Sequence, residues 1–135
     1  MTLTLDLLPA TFAVCRFDPA FVLDPDLLQE PWVFTARTDD ELSLVCDEQL
    51  LARFRLEPGN TESGWRALKV SGPLDFALVG ILAQLTGALA EAGISIFAIS
   101  TFDTDYLLVK AAVLADTVST LEQAGCKVRT PARGR

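Results

Sequence analysis

The stretch from residue 69 to residue 110 constrains the fold most, because strand, turn and helix signals follow one another in it without interruption. Residues 66–71 alternate in polarity and run into Gly72-Pro73, which predicts a strand that ends in a turn. Asp75 is placed to cap a helix. Leucines then recur at helical spacing up to Gly93, which predicts an amphipathic helix with a left-handed glycine stop.

A second strand pair and a second helix follow. The apolar run 94–101 predicts a strand buried on both faces, the sequence Asp103-Thr104-Asp105 predicts a hairpin turn, and residues 106–110 predict the returning strand. A helix capped by Asp116 or Thr117 and ended by Gly125 should then precede a short strand at 126–129.

The resulting order, βαββαβ, predicts an α+β fold with a four-stranded antiparallel sheet and both helices on one face. The other face of the sheet would be bare, so we expect further protein to cover it.

The first half of the chain looks like a degenerate copy of the second. Four segments have strand character, and a turn is expected at residues 38–40; the strand segments are 12–17, 32–37, 41–46 and 52–56. Three prolines between residues 18 and 31 leave room for only a turn or a short helical piece in place of the first helix. An additional N-terminal strand should end at Pro9.

These signals predict two tandem ferredoxin-like units. The first is a degenerate N-terminal unit at 1–60, the second spans 61–130, and a flexible tail covers 131–135. The polar run from Gly59 to Gly64, bracketed by glycines, is the expected linker.

Charge and composition exclude several classes of function. The net charge is −7 and no basic stripe interleaved with aromatic residues occurs, which disfavours nucleic acid and anionic membranes as partners. The first 64 residues carry most of the negative charge. These acidic residues form either a solvated surface or a docking face for a cationic partner. The longest apolar segment, 76–90, is too short to span a bilayer, and no signal peptide is evident, so a cytoplasmic protein is expected.

The residues that usually carry catalysis are missing or poorly placed. Histidine is absent, which removes the commonest general base and metal ligand. The three widely spaced cysteines, Cys15, Cys46 and Cys126, indicate buried free thiols in a reducing compartment. Neither a GxGxxG turn nor a P-loop is present, and Asp103 and Asp105 lack the ligand series of a metal loop. We therefore expect no enzyme, no cofactor and no metal.

One long run resembles a known family. The sequence GPLDFALVGILAQLTGALAEAGISIFAISTFDTDYLLV is similar to the core of an ACT domain, and most closely to ACT proteins of the CASTOR type, which resemble the tandem regulatory ACT modules of aspartate kinases. TFAVCRF and TDDELSLVC carry the resemblance in the first half. The resemblance implies a regulatory, allosteric sensor that binds an amino acid at the interface between two ACT domains or two chains.

The turn and helix start after Gly72 are where we expect such a ligand to lie. Free N–H groups at a helix start would donate hydrogen bonds to its carboxylate, and Asp75 or Asp105 would pair with a cationic group. The candidate ligand-binding residues are Gly72, Pro73, Leu74, Asp75, Phe76, Ile99, Ser100 and Thr101.

Each candidate also has a purely structural interpretation. Asp75 would serve as an N-cap and Gly72 as a turn residue, Ser100 and Thr101 would satisfy nearby backbone, and Asp103 and Asp105 would form the turn. Phe76, Phe97 and Phe102 fit a core or an interface. Because prolines interrupt the equivalent segment of the first half, we expect one ligand site per chain.

Two functions remain open. The first is a non-catalytic, stand-alone sensor of an amino acid or a similar small ligand, which acts on an unidentified regulated protein. The second is a structural or adaptor protein whose ACT-like sheets form a homodimer without any ligand.

Overall fold

The computed structural model describes residues 3–71 and 80–131. The chain divides into a larger unit, Met1–Pro9 with Arg66–Arg135, and a smaller unit, Ala10–Trp65. This division differs from the predicted one at residue 60, because the first nine residues belong to the larger unit and the boundary in the second half falls after Trp65.

Seven strands and three α-helices occur in the described residues. The strands are β1 (Thr4–Phe17), β2 (Phe34–Arg37), β3 (Leu42–Asp47), β4 (Asn60–Ser71), β5 (Phe97–Ser100), β6 (Asp105–Lys110) and β7 (Lys127–Arg129). The helices are α1 (Gln49–Arg53), α2 (Ile81–Glu91) and α3 (Leu114–Gln123), with short 3-10 turns at Leu27–Gln29 and Ala111–Val113. Within the part of the chain that the structure describes, no helix has the length and apolar character needed to cross a membrane.

Neighbouring strands follow the order β2-β3-β1-β4-β6-β5, and β7 pairs with β1. The pairs β1–β3, β2–β3 and β5–β6 are antiparallel. The pair β1–β7 is parallel, with Leu5 opposite Val128 and Asp6 opposite Arg129. In the larger unit β1 therefore stands between β4 and β7, a place that the sequence analysis had not given to any strand.

The core of the larger unit lies between its strands and two helices. Leu85 and Leu89 of α2 and Leu121 of α3 pack against alternate residues of the strands, which are Leu5, Leu7, Leu68, Val70, Leu107 and Val109. The apolar residues that alternate along the strands and those at helical spacing in α2 are therefore buried against each other. The predicted α+β class, with helices on one face of a mostly antiparallel sheet, is confirmed.

The opposite face of the same strands is also partly buried. Leu108 is 0% exposed and Ala67 is 1% exposed, although both alternate with the residues that face the helices. Phe97, which lies opposite Leu108, is half-buried. The face predicted to require further cover is thus buried at these positions.

The smaller unit has its own core and replaces the first helix of the repeat by an irregular segment. Leu23 and Leu27 anchor that segment against strand residues that include Leu42 and Leu44. The Arg37 guanidinium donates hydrogen bonds to the Pro19 and Phe21 carbonyls, which the prolines leave without helical partners. The prediction that this segment forms only a short helical piece is confirmed, because a single 3-10 turn occurs in it.

Three local predictions are wrong. Residues 52–56 do not form a strand, because α1 spans Gln49–Arg53 and buries Leu50. β1 does not end at Pro9 but continues to Phe17, since proline at this exposed position fits in a strand wherever no ladder donor is required. The expected linker from Gly59 to Gly64 is strand from Asn60 onwards.

The predicted helix caps also need correction. Gly80, with φ +86, is the N-cap residue of α2, and Asp75 lies outside the described residues. Asp116 and Thr117 both lie inside α3, and the Thr117 hydroxyl donates to the carbonyl of Val113, the residue before that helix. The left-handed stop at Gly93, with φ +76, is confirmed.

Candidate functional site

The structure describes one of the two segments predicted to hold the ligand. Gly72, Pro73, Leu74, Asp75 and Phe76 lie outside the described residues. Ile99 and Ser100 are the last residues of β5, and Thr101 follows directly. Ser100 and Thr101 are exposed and Ile99 is half-buried.

A buried threonine joins the surroundings of the two segments. The Thr104 hydroxyl donates to the Val70 carbonyl, two residues before Gly72, and Thr104 is only 8% exposed. Thr101 is bound to the same residue, because the Thr101 amide donates to the Thr104 carbonyl at 2.8 Å and the Thr104 amide donates to the Thr101 hydroxyl at 3.2 Å. The end of β4 therefore lies at the turn that joins β5 to β6, with the start of β6 between the ends of β4 and β5.

The turn around Thr104 explains the acidic pair of the hairpin. Asp105 lies opposite Ser100 as the first residue of β6, and Asp103 is an exposed turn residue. The interpretation as a turn former fits the placement of Asp103, whereas Asp105 belongs to the strand. Phe102 at the tip of the turn is 96% exposed, so it is not a core residue of the described chain.

A charged cluster lies at the other side of the end of β4. The Ser71 hydroxyl donates to Asp6 Oδ2 at 2.5 Å, and Arg129 donates through Nε to Asp6 Oδ1 at 2.6 Å and through Nη2 to Oδ2 at 2.8 Å. Hydrogen bonds from Arg129 and then from Ser71 lower the pKa of Asp6 from 3.8 to about 2. Asp6 is thus a carboxylate at any physiological pH.

The thiols of the chain are poorly suited to chemistry. Cys15 and Cys46 are buried, Cys126 is half-buried, and all three are free, as predicted. Burial raises the pKa of each thiol, to about 12 for Cys46, which keeps them protonated and weakly nucleophilic. Across residues 3–71 and 80–131, no group of three or more side chains could hold a metal ion.

Sequence reasoning missed Thr104, Ser71, Asp6 and Arg129. Thr104 stands in the centre of the Asp-Thr-Asp turn, where a threonine is usually exposed, and nothing local indicates that it is buried. The link between Asp6 and Arg129 joins residues 123 positions apart in the chain, so it depends on β1 standing beside β7. A charged residue between Leu5 and Leu7 in a predicted strand was the one available signal.

Comparisons with known proteins agree with the fold. Residues 60–123 match the sequence profile of the ACT domain. The Homo sapiens cytosolic arginine sensor for mTORC1 subunit 1 is 35% identical over 86 residues, which cover 61% of this chain and 26% of the sensor. This chain therefore aligns with about a quarter of the length of that relative.

Two solved structures extend the comparison to nearly the whole chain. An Agobacterium tumefaciens protein superposes with a TM-score of 0.84 at 29% identity, covering 100% of this chain and 98% of its own. The regulatory subunit of aspartate kinase from Thermus thermophilus superposes with a TM-score of 0.58 at 12% identity, covering 89% of this chain and 95% of its own, and shows likeness of fold. Residues 60–123 are therefore similar in sequence to ACT domains, in a chain that is similar in sequence to part of the arginine-sensor subunit and similar in fold to aspartate kinase regulatory subunits.

Proposed function

We propose that this chain is a non-catalytic regulatory module that binds an amino acid, with the ligand beside the end of β4 and the end of β5. The observation that carries the proposal is the hydrogen bond from the buried Thr104 hydroxyl to the Val70 carbonyl. It joins Val70, two residues before Gly72, to Thr104, which is hydrogen-bonded to Thr101 at the end of the other predicted ligand segment. Gly72 to Phe76 stay part of the proposed site.

Backbone groups supply the chemistry that this proposal needs. α2 begins at Ile81, shortly after the predicted ligand segment, and the first N–H groups of a helix attract a carboxylate. The exposed hydroxyls of Ser100 and Thr101 add polar partners, and Asp105 supplies a carboxylate for an ammonium group. Because the related human protein is named as an arginine sensor, arginine is the first ligand to test.

The regulatory part of the proposal follows from how ACT ligands act. A second ACT unit would complete the site at an ACT–ACT interface, and binding would favour one of two arrangements by its differential affinity for them. The output would pass to a separate regulated protein, and we place the module in the cytoplasm, as the name of the human relative says of that protein.

A thermal-shift screen of the proteinogenic amino acids tests the proposal. A ligand that binds the folded chain at 100 times its Kd should add about 2.7 kcal/mol to the free energy of unfolding, which raises the melting temperature by several degrees. Arginine and lysine give a matched pair of cationic ligands. If no amino acid at millimolar concentration moves the melting temperature, the chain is not an amino-acid sensor.

One observation favours the adaptor function as a second candidate. β5 stands at the end of the strand order, its residues Ala98 and Ser100 are exposed, and Phe102 projects beyond it. An exposed strand edge offers backbone groups to a second sheet. The adaptor hypothesis predicts a dimer whose sedimentation is the same with and without amino acids, whereas the sensor hypothesis predicts a ligand-dependent change.

A further inference from the structure

The Asp6 carboxylate connects three strands of the larger unit. It stands on β1, accepts the Ser71 hydroxyl from the last residue of β4, and accepts two hydrogen bonds from Arg129 of β7. Ser71 is the residue immediately before Gly72. The cluster thus holds the point where the chain leaves β4 for the proposed ligand segment.

The Arg129 guanidinium fixes the orientation of the Asp6 carboxylate. A two-point contact with a planar guanidinium orients the carboxylate, because both oxygens are engaged at 2.6 and 2.8 Å. The same Oδ2 accepts from both Arg129 and Ser71. The other acceptor near the Ser71 hydroxyl is the Lys69 carbonyl at 3.5 Å, which is the longer and weaker contact.

Strand pairing does not require this cluster. β7 is already held by its parallel register with β1, from Thr4 opposite Lys127 to Asp6 opposite Arg129, and by the Lys127 amide, which donates to the Leu3 carbonyl at 2.8 Å. The bond to Ser71 does not involve β7. It joins β1 to the last residue of β4, its neighbour in the sheet, and the residue before that, Val70, is bound on the other side by Thr104.

We propose that Asp6, oriented by Arg129, is a positioning residue that fixes Ser71, the last residue before the proposed ligand segment. The last two residues of β4 are both held: Thr104 binds the Val70 carbonyl, and Asp6 binds the Ser71 hydroxyl. A ligand that contacts residues 72–76 then meets a segment whose origin is already ordered, so less conformational entropy is lost on binding. The effect on affinity rests on the proposed function, whereas the effect on β4 does not.

Hydrogen exchange on the ligand-free protein tests the positioning role. Asp6→Asn should raise amide exchange in 66–71 about tenfold relative to 107–109 of β6, because one charge-assisted hydrogen bond contributes about that factor. Glu122→Gln is the matched control, since it removes one negative charge from an exposed position of α3 and leaves Ser71 bound to Asp6. If Asp6→Asn raises exchange in 127–129 and leaves 66–71 unchanged, Asp6 only joins β7 to β1 and the proposal is overturned.

Amino-acid affinity supplies the second readout. Ser71→Ala and Asp6→Asn should each weaken binding about tenfold, and the double variant should be no weaker than either, since both remove one bond. Additive losses would contradict the proposal. Urea unfolding of the same variants shows which are folded at the assay temperature, and hydrogen exchange at 66–71 is compared among the folded ones.

The two readouts separate failure of this inference from failure of the proposed function. A chain that binds no amino acid but shows selective loosening of 66–71 in Asp6→Asn retains the positioning role and loses the sensor function. A chain that binds an amino acid with unchanged affinity in Asp6→Asn and Ser71→Ala retains the sensor function and loses the positioning role.

Discussion

At the scale of single residues, the features that set this chain apart are two polar side chains with hydrogen-bond partners far away in the sequence. Thr104 is buried and donates to the Val70 carbonyl, whereas Asp6 alternates with the buried Leu5 and Leu7 and its side chain is 30% exposed. A buried hydroxyl such as that of Thr104 destabilises the fold unless its hydrogen bond is made. Here the partners come from distant strands, which is why the sequence did not reveal them.

Because of the Asp6 carboxylate, the free energy of unfolding should decrease as the solution becomes acidic. Its pKa is about 2 in the folded chain, below the ordinary 3.8, so its contribution is complete above about pH 4 and is lost as the pH falls towards 2. The lowered pKa stabilises the folded chain by about 1–2 kcal/mol at neutral pH. Urea unfolding of Asp6→Asn should show that loss at pH 7 and a much smaller loss near pH 2.5. A loss that is equal at both pH values would show that Asp6 is not held by Arg129 and Ser71.

Cys126 should react with an alkylating agent before the two other thiols. Cys126 is half-buried, whereas Cys15 is 2% exposed and Cys46 is 0% exposed, and burial raises the pKa of both buried thiols. Alkylation with iodoacetamide at pH 8, followed by mass spectrometry, should modify Cys126 at least tenfold faster than the others. In denaturant all three should react at similar rates. Early modification of Cys46 in the folded chain would contradict the described core.

At the scale of secondary-structure elements, regular patterns were predictable and context-dependent ones were not. The positions of β6 and β3 and the end of α2 follow from alternation, helical spacing and a left-handed glycine, all of which are local. The segment 52–56 was misread as a strand because its apolar residues fit both periods over so short a run. The start of α2 was misplaced because Gly80, with its positive φ, lies inside an otherwise continuous apolar pattern.

The turn at Thr101–Thr104 is the element on which the candidate site depends, and a matched pair of variants tests it. Thr104→Val and Thr117→Val each remove a buried hydroxyl that donates to a backbone carbonyl, of Val70 and Val113 respectively. Each should lower the free energy of unfolding by about 1–3 kcal/mol. Only Thr104→Val should also weaken amino-acid binding, measured by calorimetry. Equal effects of both variants on affinity would remove the turn from the site.

At the scale of the whole molecule, the charge is distributed between the units very unevenly. The smaller unit has eleven acidic and four basic side chains, so it carries the full net charge of −7, while the larger unit has seven of each. The sequence analysis predicted an acidic first half, and the structure places that charge in the smaller unit. Most of the residues that match the ACT profile lie in the other, larger unit. A neutral larger unit suits a zwitterionic ligand, because no strong field of one sign opposes either of its charges.

The class of fold and the resemblance to ACT domains were accessible from sequence because the run from Gly72 to Val109 combines pattern and motif. The assignment of the N-terminal residues to the larger unit was not accessible. Nothing in the composition of residues 4–9 shows that they enter the larger unit between β4 and β7, since any apolar strand satisfies the alternation there. The Asp6 cluster follows from that placement, so it could not be predicted either.

The central claim is that an amino acid binds where β4 and β5 end, and an amide chemical-shift titration of the whole chain tests it most directly. Addition of arginine, and then of the other proteinogenic amino acids, should shift the amide signals of Ser71 and of residues 99–104 in a saturable way. Amides of the smaller unit, such as those of β3, serve as the internal control. Saturable shifts confined to residues 71–81 and 99–104 are the predicted result. Shifts confined to other residues, or none with any amino acid, would contradict the account.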